Sequence, residues 1–536
     1  MPGKLSFRCM VPSFASKKTE LQTALVFIVL SLFLRLPYFF RDVINWDEST
    51  FTLLGQSILN GHLPYTSSWD QKPPLLGASF SLFIIIFGKS VASIRLAGAL
   101  CVALTSWLTC EIGRSLRDDL FGVISGTLTC LSLSLVEKSA SATMSEHVAL
   151  VPLMFGLFIL INAPRSSVRV FIAAFFLSAA AMMRTNLAFV VISLGVVTVF
   201  LGGEQFENTY QKLAHQYSLF MSYLCGCMFV IGLTFLPYLL TSNSRLWWES
   251  VVVSPLGYSL SGYSWSEALT RHVDKLVHLV FDWSIIPLDV PKINTIIVIL
   301  VFVGAMLGAC KLIYDCFFRR TSNGYGFVFL AVAFLSTCVS ILRGGQAHFH
   351  YLFQIVPFLS LYAAVVYVEI IRLTSWRLGL AVCSLILTIS LSNLLKDYGI
   401  LIKKVFNGQS LNTGTSYVLA DYISKNNSQM RPVFFLKYHI GYWFLNQEPI
   451  TPSSTHPSNL TKDYMLRYSI GEGATSLSAF QEVLDLSPEY IVMPHDMWFL
   501  DKDSDSMRLL EQSISQNYKV GKMIDDVVVY RLSQAP

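Results

Sequence analysis

The sequence predicts an all-α polytopic membrane domain followed by a small water-exposed α/β domain. Three observations carry this. Of 536 residues, 53% are hydrophobic and only 14% charged, with a mean hydropathy of +0.53; a soluble domain carries about 25% charged residues. Apolar runs of span length, about 17–25 residues, recur from residue 21 to residue 395. Charge then rises. Residues 1–395 hold 26 Lys and Arg with 19 Asp and Glu, whereas the much shorter 396–536 holds 13 with 15. The expected domains are therefore 1–395 and 396–536. This composition excludes a cytosolic enzyme, a disordered chain and a nucleic-acid-binding protein. The formal charge of +5 is too small to mark a polyanionic partner.

The first run, Leu21–Phe40, follows Lys4, Arg8, Lys17 and Lys18. It outruns a signal-peptide core and ends in Arg35-Leu-Pro-Tyr without a small-residue cleavage site, so it reads as an anchor with a cytoplasmic N-terminus. Further spans follow at 91–111, 120–136, 147–162, 169–183, 186–202, 217–240, 293–314, 325–342, 351–371 and 377–395. Eleven spans put the tail outside. Arg114, Arg117, Arg165, Arg169, Arg319, Arg320, Arg372 and Arg377 then fall on the inner side, as basic loop residues should. No inverted repeat is visible, which argues against a transporter. All ten Cys precede residue 395, so no disulfide framework holds the tail.

The outer segments are too elaborate for connectors. In the first, Asp47 is placed to cap a helix over Phe51–Leu59 that stops at Asn60-Gly61, with Glu48 as its first residue. Lys72-Pro73-Pro74 then opens an interfacial helix reaching Phe87, because Pro belongs at the first helical position. Its free N–H groups and Lys72 make a phosphate cradle. A second segment, Glu137–His147, carries Glu146 just before a span, and Arg184 sits in the short link between two spans. A third, Thr241–Lys292, is rich in Trp and Tyr, including Trp283, as a bilayer surface requires. A last link gathers Arg343, His348, His350 and Tyr351. Each residue has a plainer use: Asp47 and Glu146 as caps, Lys72 as a snorkelling chain, Arg184 as a helix anchor, the His pair as interfacial polar groups. Their convergence on one side is the stronger signal, since charge at that depth is costly.

Their order is more specific still. Asp47-Glu48 after the first span, Lys72-Pro73-Pro74-Leu75, a helix ending in Phe87-Gly88, and Arg95-Leu96 opening the next span resemble the GT-C glycosyltransferases. Specifically, they resemble the polyprenyl-phosphate-sugar branch, which includes protein O-mannosyltransferases and lipid A aminoarabinose transferases. Ser145-Glu146, Met183-Arg184-Thr185-Asn186 and His348-Phe-His350-Tyr351-Leu with Val356-Pro357 look like further family segments. In the tail, 432–438, 488–492 and 526–532 read as strands. Gln71 departs from the acidic residue or His that often precedes Lys-Pro-Pro, and the absence of a large inserted carbohydrate-recognition domain implies a bacterial type.

The resemblance implies an integral membrane enzyme that moves one sugar from a polyprenyl-phosphate donor to a protein, glycolipid or polysaccharide acceptor. It implies an active site and tail on the extracytoplasmic face of the plasma membrane. Asp47 is the expected general base, with Glu48 or Glu146 orienting acceptor or sugar. Lys72, Arg184, Arg343, His348 and His350 are expected to hold the phosphate, with Tyr351 beside them. One base facing the anomeric carbon implies inversion. No cofactor is required; a divalent metal is compatible, although no residue set has metal-ligand spacing. Two alternatives use the same charges: a flippase or transporter of a lipid-linked sugar, and an oligosaccharide ligase.

Overall fold

The structure, a computed structural model, describes residues 17–203, 206–281, 293–318, 324–344, 346–374, 376–427 and 431–533. Lys4, Arg8, Trp283, Arg319 and Arg320, which entered the topology argument, lie outside the described residues. In chain order the helices are α1 (Lys17–Arg35), α2 (Trp46–Leu59), α3 (Pro74–Phe87), α4 (Val91–Leu116), α5 (Asp119–Leu135), α6 (Ser145–Asn162), α7 (Ser167–Ala181) and α8 (Ala188–Gly202). They continue as α9 (Thr209–Leu240), α10 (Ser244–Trp248), α11 (Ser254–Leu260), α12 (Trp265–Phe281), α13 (Ile293–Phe318), α14 (Gly324–Arg343), α15 (Val356–Leu373) and α16 (Trp376–Phe406). Every expected span falls on one of them. Among the described residues, eight helices are long and apolar enough to cross a membrane. Three shorter apolar helices accompany them, Pro74–Phe87, Asp119–Leu135 and Ser167–Ala181. This is a multi-pass integral membrane protein.

The helices touch through small residues, as membrane bundles do. A Cβ on Gly113 of α4 would lie 2.7 Å from Gly122 Cα of α5, and one on Gly122 would lie 2.5 Å from the Cys110 carbonyl oxygen. Both neighbours are backbone, so they cannot swing away. Gly122→Val should therefore destabilise the bundle by about 1–3 kcal/mol, read as a lower melting temperature of the detergent-solubilised protein. An unchanged melting temperature would contradict this packing.

Two local expectations need correction. Asn45, not Asp47, caps α2: its side chain accepts from the Asp47 N–H at 2.9 Å. Asn and Asp are equivalent caps, and the helix starts at Trp46, two residues before the expected Glu48. The boundary at 395–396 also falls inside α16, which runs on to Phe406. Lys396, Asp397, Lys403 and Lys404 carry that helix into polar surroundings without breaking it. Composition there marks where the helix leaves apolar surroundings, not where it ends.

After α16, helix α17 (Thr415–Asn426) leads into a four-stranded mixed sheet of order β1-β2-β4-β3. β1 (Val433–Phe435) pairs parallel with β2 (Tyr490–Pro494), and β4 (Val527–Leu532) pairs antiparallel with β2 and with β3 (Tyr518–Ile524). Three of these lie in the expected segments. β3 escaped notice because it is an edge strand whose five middle residues are all exposed, so it carries no apolar alternation. The sheet region does not pack alone. Phe51, Leu54, Leu76 and Phe80 of α2 and α3 share one buried cluster with Leu419, Ile423, Phe435 and Trp443. Hydrogen bonds add to the joint: Trp69 N–H to the Pro452 carbonyl at 3.0 Å, Asn459 Nδ2 to the Trp69 carbonyl at 2.8 Å, and Ser416 N–H to Asp42 at 2.7 Å. The tail thus roofs the end of the bundle where α2 and α3 lie.

Candidate active site

At the start of α2, two adjacent carboxylates diverge. Successive helical residues point about 100° apart, so Asp47 and Glu48 face different partners. Glu48 is buried against Arg95 of α4, whose side chain is fully buried. Arg95 Nη2 donates to Glu48 at 2.8 Å and Nε at 3.2 Å; the Thr143 N–H donates to its other oxygen at 2.6 Å. Arg95 also donates to the carbonyls of Tyr38, Arg41 and Asp42. Both Glu48 oxygens are taken, so the geometry gives it the work of clamping the 38–48 turn rather than of touching substrate.

With its helix capped by Asn45, Asp47 keeps its carboxylate free. Its side chain is 29% exposed and lies between two histidines: His350 Nε2 at 3.9 Å from one oxygen and His456 Nε2 at 3.7 Å from the other. Burial alone would raise the Asp47 pKa, but Lys72, His350, His456 and His348 outweigh it and hold the carboxyl at about 2. Those histidines count only where they are protonated. Burial pushes His348 and His456 down to about 4 and His439 to about 3, so near neutrality these three are uncharged. Lys72 is then the main cation beside Asp47, with Lys462 also in its field; burial lowers the Lys462 pKa against the pull of Asp47. Asp70, whose carboxylate accepts the Lys72 N–H at 3.0 Å, is raised by burial to about 6, with Lys72 opposing and Asp47 assisting.

Lys72 also lines a cavity of about 410 Å³. Its polar end holds Gln71, Lys72, Arg184, Arg343 and Tyr351; its wall is Phe189, Ile192, Leu256, Leu260 and Ile341. Phe189 and Ile192 are 42% and 66% exposed on α8, so this wall continues onto the apolar outside of the bundle. The break between α7 and α8 is what brings Arg184 in. Arg184 is extended (φ −145°, ψ 104°), and its guanidinium sits 5.0 Å from the Tyr351 ring. Arg184 Nη1 donates to Glu146 at 2.5 Å and to Ser145 Oγ at 2.6 Å. Glu146 is fully buried and holds Arg184 from behind. Two buried polar atoms at the cavity, Gln71 Oε1 and Thr185 Oγ1, have no hydrogen-bond partner; such atoms normally find one.

The structure thus gathers Lys72, Arg184, Arg343 and Tyr351 around one cavity and puts His350, with His348 stacked on it at 5.4 Å, beside Asp47. It sets Glu48 and Glu146 behind the site as partners of arginines. Sequence reading missed His456, His439 and Lys462, which the tail supplies. His456 lies 409 positions from Asp47 in a Thr/Ser/Pro loop, and no local pattern links the two. Among the described residues, no three His, Cys, Asp or Glu side chains are grouped to hold a metal ion.

The pattern of the dolichyl-phosphate-mannose-protein mannosyltransferase family matches residues 71–230, a stretch that includes Lys72, Glu146 and Arg184. No curated protein matches the chain. The fold is similar to that of ArnT from Cupriavidus metallidurans, solved bound to undecaprenyl phosphate: TM-score 0.54, 13% identity, 96% of this chain and 98% of that one. The oligosaccharyltransferase of Archaeoglobus fulgidus is a weaker likeness, with a TM-score of 0.49 at 13% identity over 97% of this chain and 75% of that one. The family pattern thus runs through Lys72, Glu146 and Arg184 over residues 71–230, and the likeness to ArnT is one of fold, a helical membrane bundle roofed by a mixed sheet.

Proposed function

We propose that this enzyme transfers a single sugar, with inversion, from a polyprenyl-phosphate donor to an acceptor hydroxyl on the extracytoplasmic face. The observation that carries the reading is the cavity, apolar along its wall and cationic at one end, with Lys72 shared between that end and Asp47. The prenyl chain lies along Phe189 and Ile192. Its phosphate meets Lys72, Arg184 and Arg343, which supply the positive charge without a metal. The acceptor oxygen attacks the anomeric carbon as the bond to the phosphate oxygen breaks. The hydroxyl proton passes to Asp47, and polyprenyl phosphate leaves with the bonding pair. A phosphate is a good leaving group, so cations suffice and no general acid is used. Gln71 Oε1 accepts from a sugar hydroxyl. Glu48 and Glu146 position the Asp47 turn and Arg184. The outward orientation rests on Arg114, Arg117, Arg165, Arg169 and Arg372, which lie at the connections opposite the site.

The test is transfer of label from a panel of radiolabelled polyprenyl-phosphate sugars into a membrane extract by the purified full chain, with the anomeric configuration of the product determined. Transfer with inversion supports the reading. Donor binding without transfer would replace it with a flippase, and retained configuration would remove the single displacement. Lys72→Met should weaken undecaprenyl phosphate binding by about tenfold or more, since a charge-assisted hydrogen bond contributes about 1.5–3 kcal/mol. Equal affinity in a binding titration would take Lys72 out of the phosphate site.

A further inference from the structure

Asp47 stands on α2, but one of the two imidazoles beside its carboxylate, that of His456, comes from the far end of the chain. His456 closes the turn 452–455 and opens the short helix Pro457–Thr461. Its Nδ1 accepts the Ser458 N–H at 3.0 Å. A neutral imidazole with an accepting Nδ1 carries its proton on Nε2, and Nε2 is the atom 3.7 Å from Asp47 Oδ1. Capping the short helix uses only Nδ1, so it leaves Nε2 unexplained. The ring is fixed on its other sides. Trp46 meets it edge-on at 6.1 Å and His439 at 5.7 Å, and its side chain is 12% exposed. His439 is itself anchored, with Nε2 3.1 Å from the Trp46 carbonyl and 3.0 Å from Thr50 Oγ1. Asn459, three residues on, is tied to the Trp69 carbonyl at 2.8 Å.

We propose that His456 is a positioning residue for glycosyl transfer: it donates its Nε2–H to Asp47 Oδ1 and leaves Oδ2, on the His350 side, to receive the acceptor proton. The proposal rests on Asp47 being the base. The present gap is longer than a hydrogen bond, and catalytic contacts of this kind close in the substrate complex. The tail is then part of the catalytic centre, not an appended module, because it fixes which carboxylate oxygen is free. The neutral state of His456 near pH 7 agrees with a donor that keeps its proton throughout the reaction. The charged and titratable groups facing the pair are Lys72 and Asp70 beside α3, His348 and His350 before α15, and His439 and Lys462 in the tail.

The experiment compares His456→Gln with His456→Leu in the full chain. Gln keeps an N–H donor at similar reach; Leu fills similar space without one. Label transfer from a polyprenyl-phosphate sugar into membrane extract is measured against pH, and undecaprenyl phosphate binding separately. The Leu variant should lose about tenfold or more in kcat while donor KM and undecaprenyl phosphate affinity hold. Its acid limb should move to higher pH, because a lost hydrogen bond to the charged form raises a carboxyl pKa. The Gln variant should recover most of the rate. Equal losses in both variants, or a Leu variant with wild-type kcat and an unmoved acid limb, would overturn the proposal. Asp47→Asn is run alongside: if it is fully active, the base assignment and this proposal both fall. If it is inactive while His456→Leu is normal, only this proposal falls.

Discussion

Asp47→Asn lowers label transfer by about 10²–10⁴-fold, the range that a general base contributes, while undecaprenyl phosphate still binds. Asn keeps the size of the side chain and can still accept at one oxygen, but it cannot take the acceptor proton. Binding persists because the cations that hold the phosphate remain, and Lys72 loses only an attractive neighbour. A carboxyl held at about 2 is a weak base at rest. It suffices because the acceptor hydroxyl becomes strongly acidic as its oxygen bonds to an oxocarbenium-like carbon. The pH dependence follows with a definite sign. The folded pKa lies below the ordinary 3.8, so Asp47 is ionised at every pH above about 4 and loses its charge only as pH falls towards 2. In kcat/KM, which reports the free enzyme, Asp47 therefore gives no acid limb near pH 6. Bound phosphate opposes the field of Lys72, so in kcat the Asp47 limb lies at higher pH than in kcat/KM. Coincident limbs, or an Asp47→Asn variant with normal turnover, would sink the assignment.

Much of this site was legible because its residues lie at helix ends, where local rules are strong. Pro74 starts α3 after Lys72 as proline placement requires, with Pro73 as the capping residue, and the stop at Asn60-Gly61 matches the end of α2. The cavity residues Lys72, Arg184, Arg343 and Tyr351 stand out as polar groups at the edges of apolar runs, where such groups are costly. What was not legible is pairing. Nothing local distinguishes Glu48 from Asp47 as the buried partner of Arg95, because that choice depends on where α4 crosses α2. Asn45 and Asp47 compete as caps by equal chemistry, and only the fold decides. His456 reaches the site through tertiary packing of the tail on α2, and no periodicity carries such a contact. β3 carries no alternation because solvent, not a core, covers its exposed middle.

The Glu48–Arg95 pair gives the largest expected stability effect. Arg95→Leu leaves Glu48 buried with one N–H partner and no counter-charge, and breaking a buried pair from one side costs about 3–5 kcal/mol. It also takes a donor from the carbonyls of Tyr38, Arg41 and Asp42, of which, among the described residues, Tyr38 alone keeps a backbone partner, the Arg41 N–H at 3.3 Å. Arg95→Lys rescues little, since an ammonium cannot hold a carboxylate in two places and three carbonyls in a fixed fork. Glu48→Gln keeps an acceptor for the Thr143 N–H but leaves the guanidinium uncompensated. The double change Glu48→Gln with Arg95→Leu removes both charges together, so it should cost less than the two single losses added. Thermal denaturation of the four proteins in detergent measures this coupling directly. The clamp fixes the turn that carries Asp47, so transfer by the surviving folded Arg95→Leu fraction should fall as well, with donor binding at the distant Arg184 and Arg343 retained. Additive losses, or an Arg95→Leu protein that melts with the wild type, would mean that the 38–48 turn is held by the tail alone.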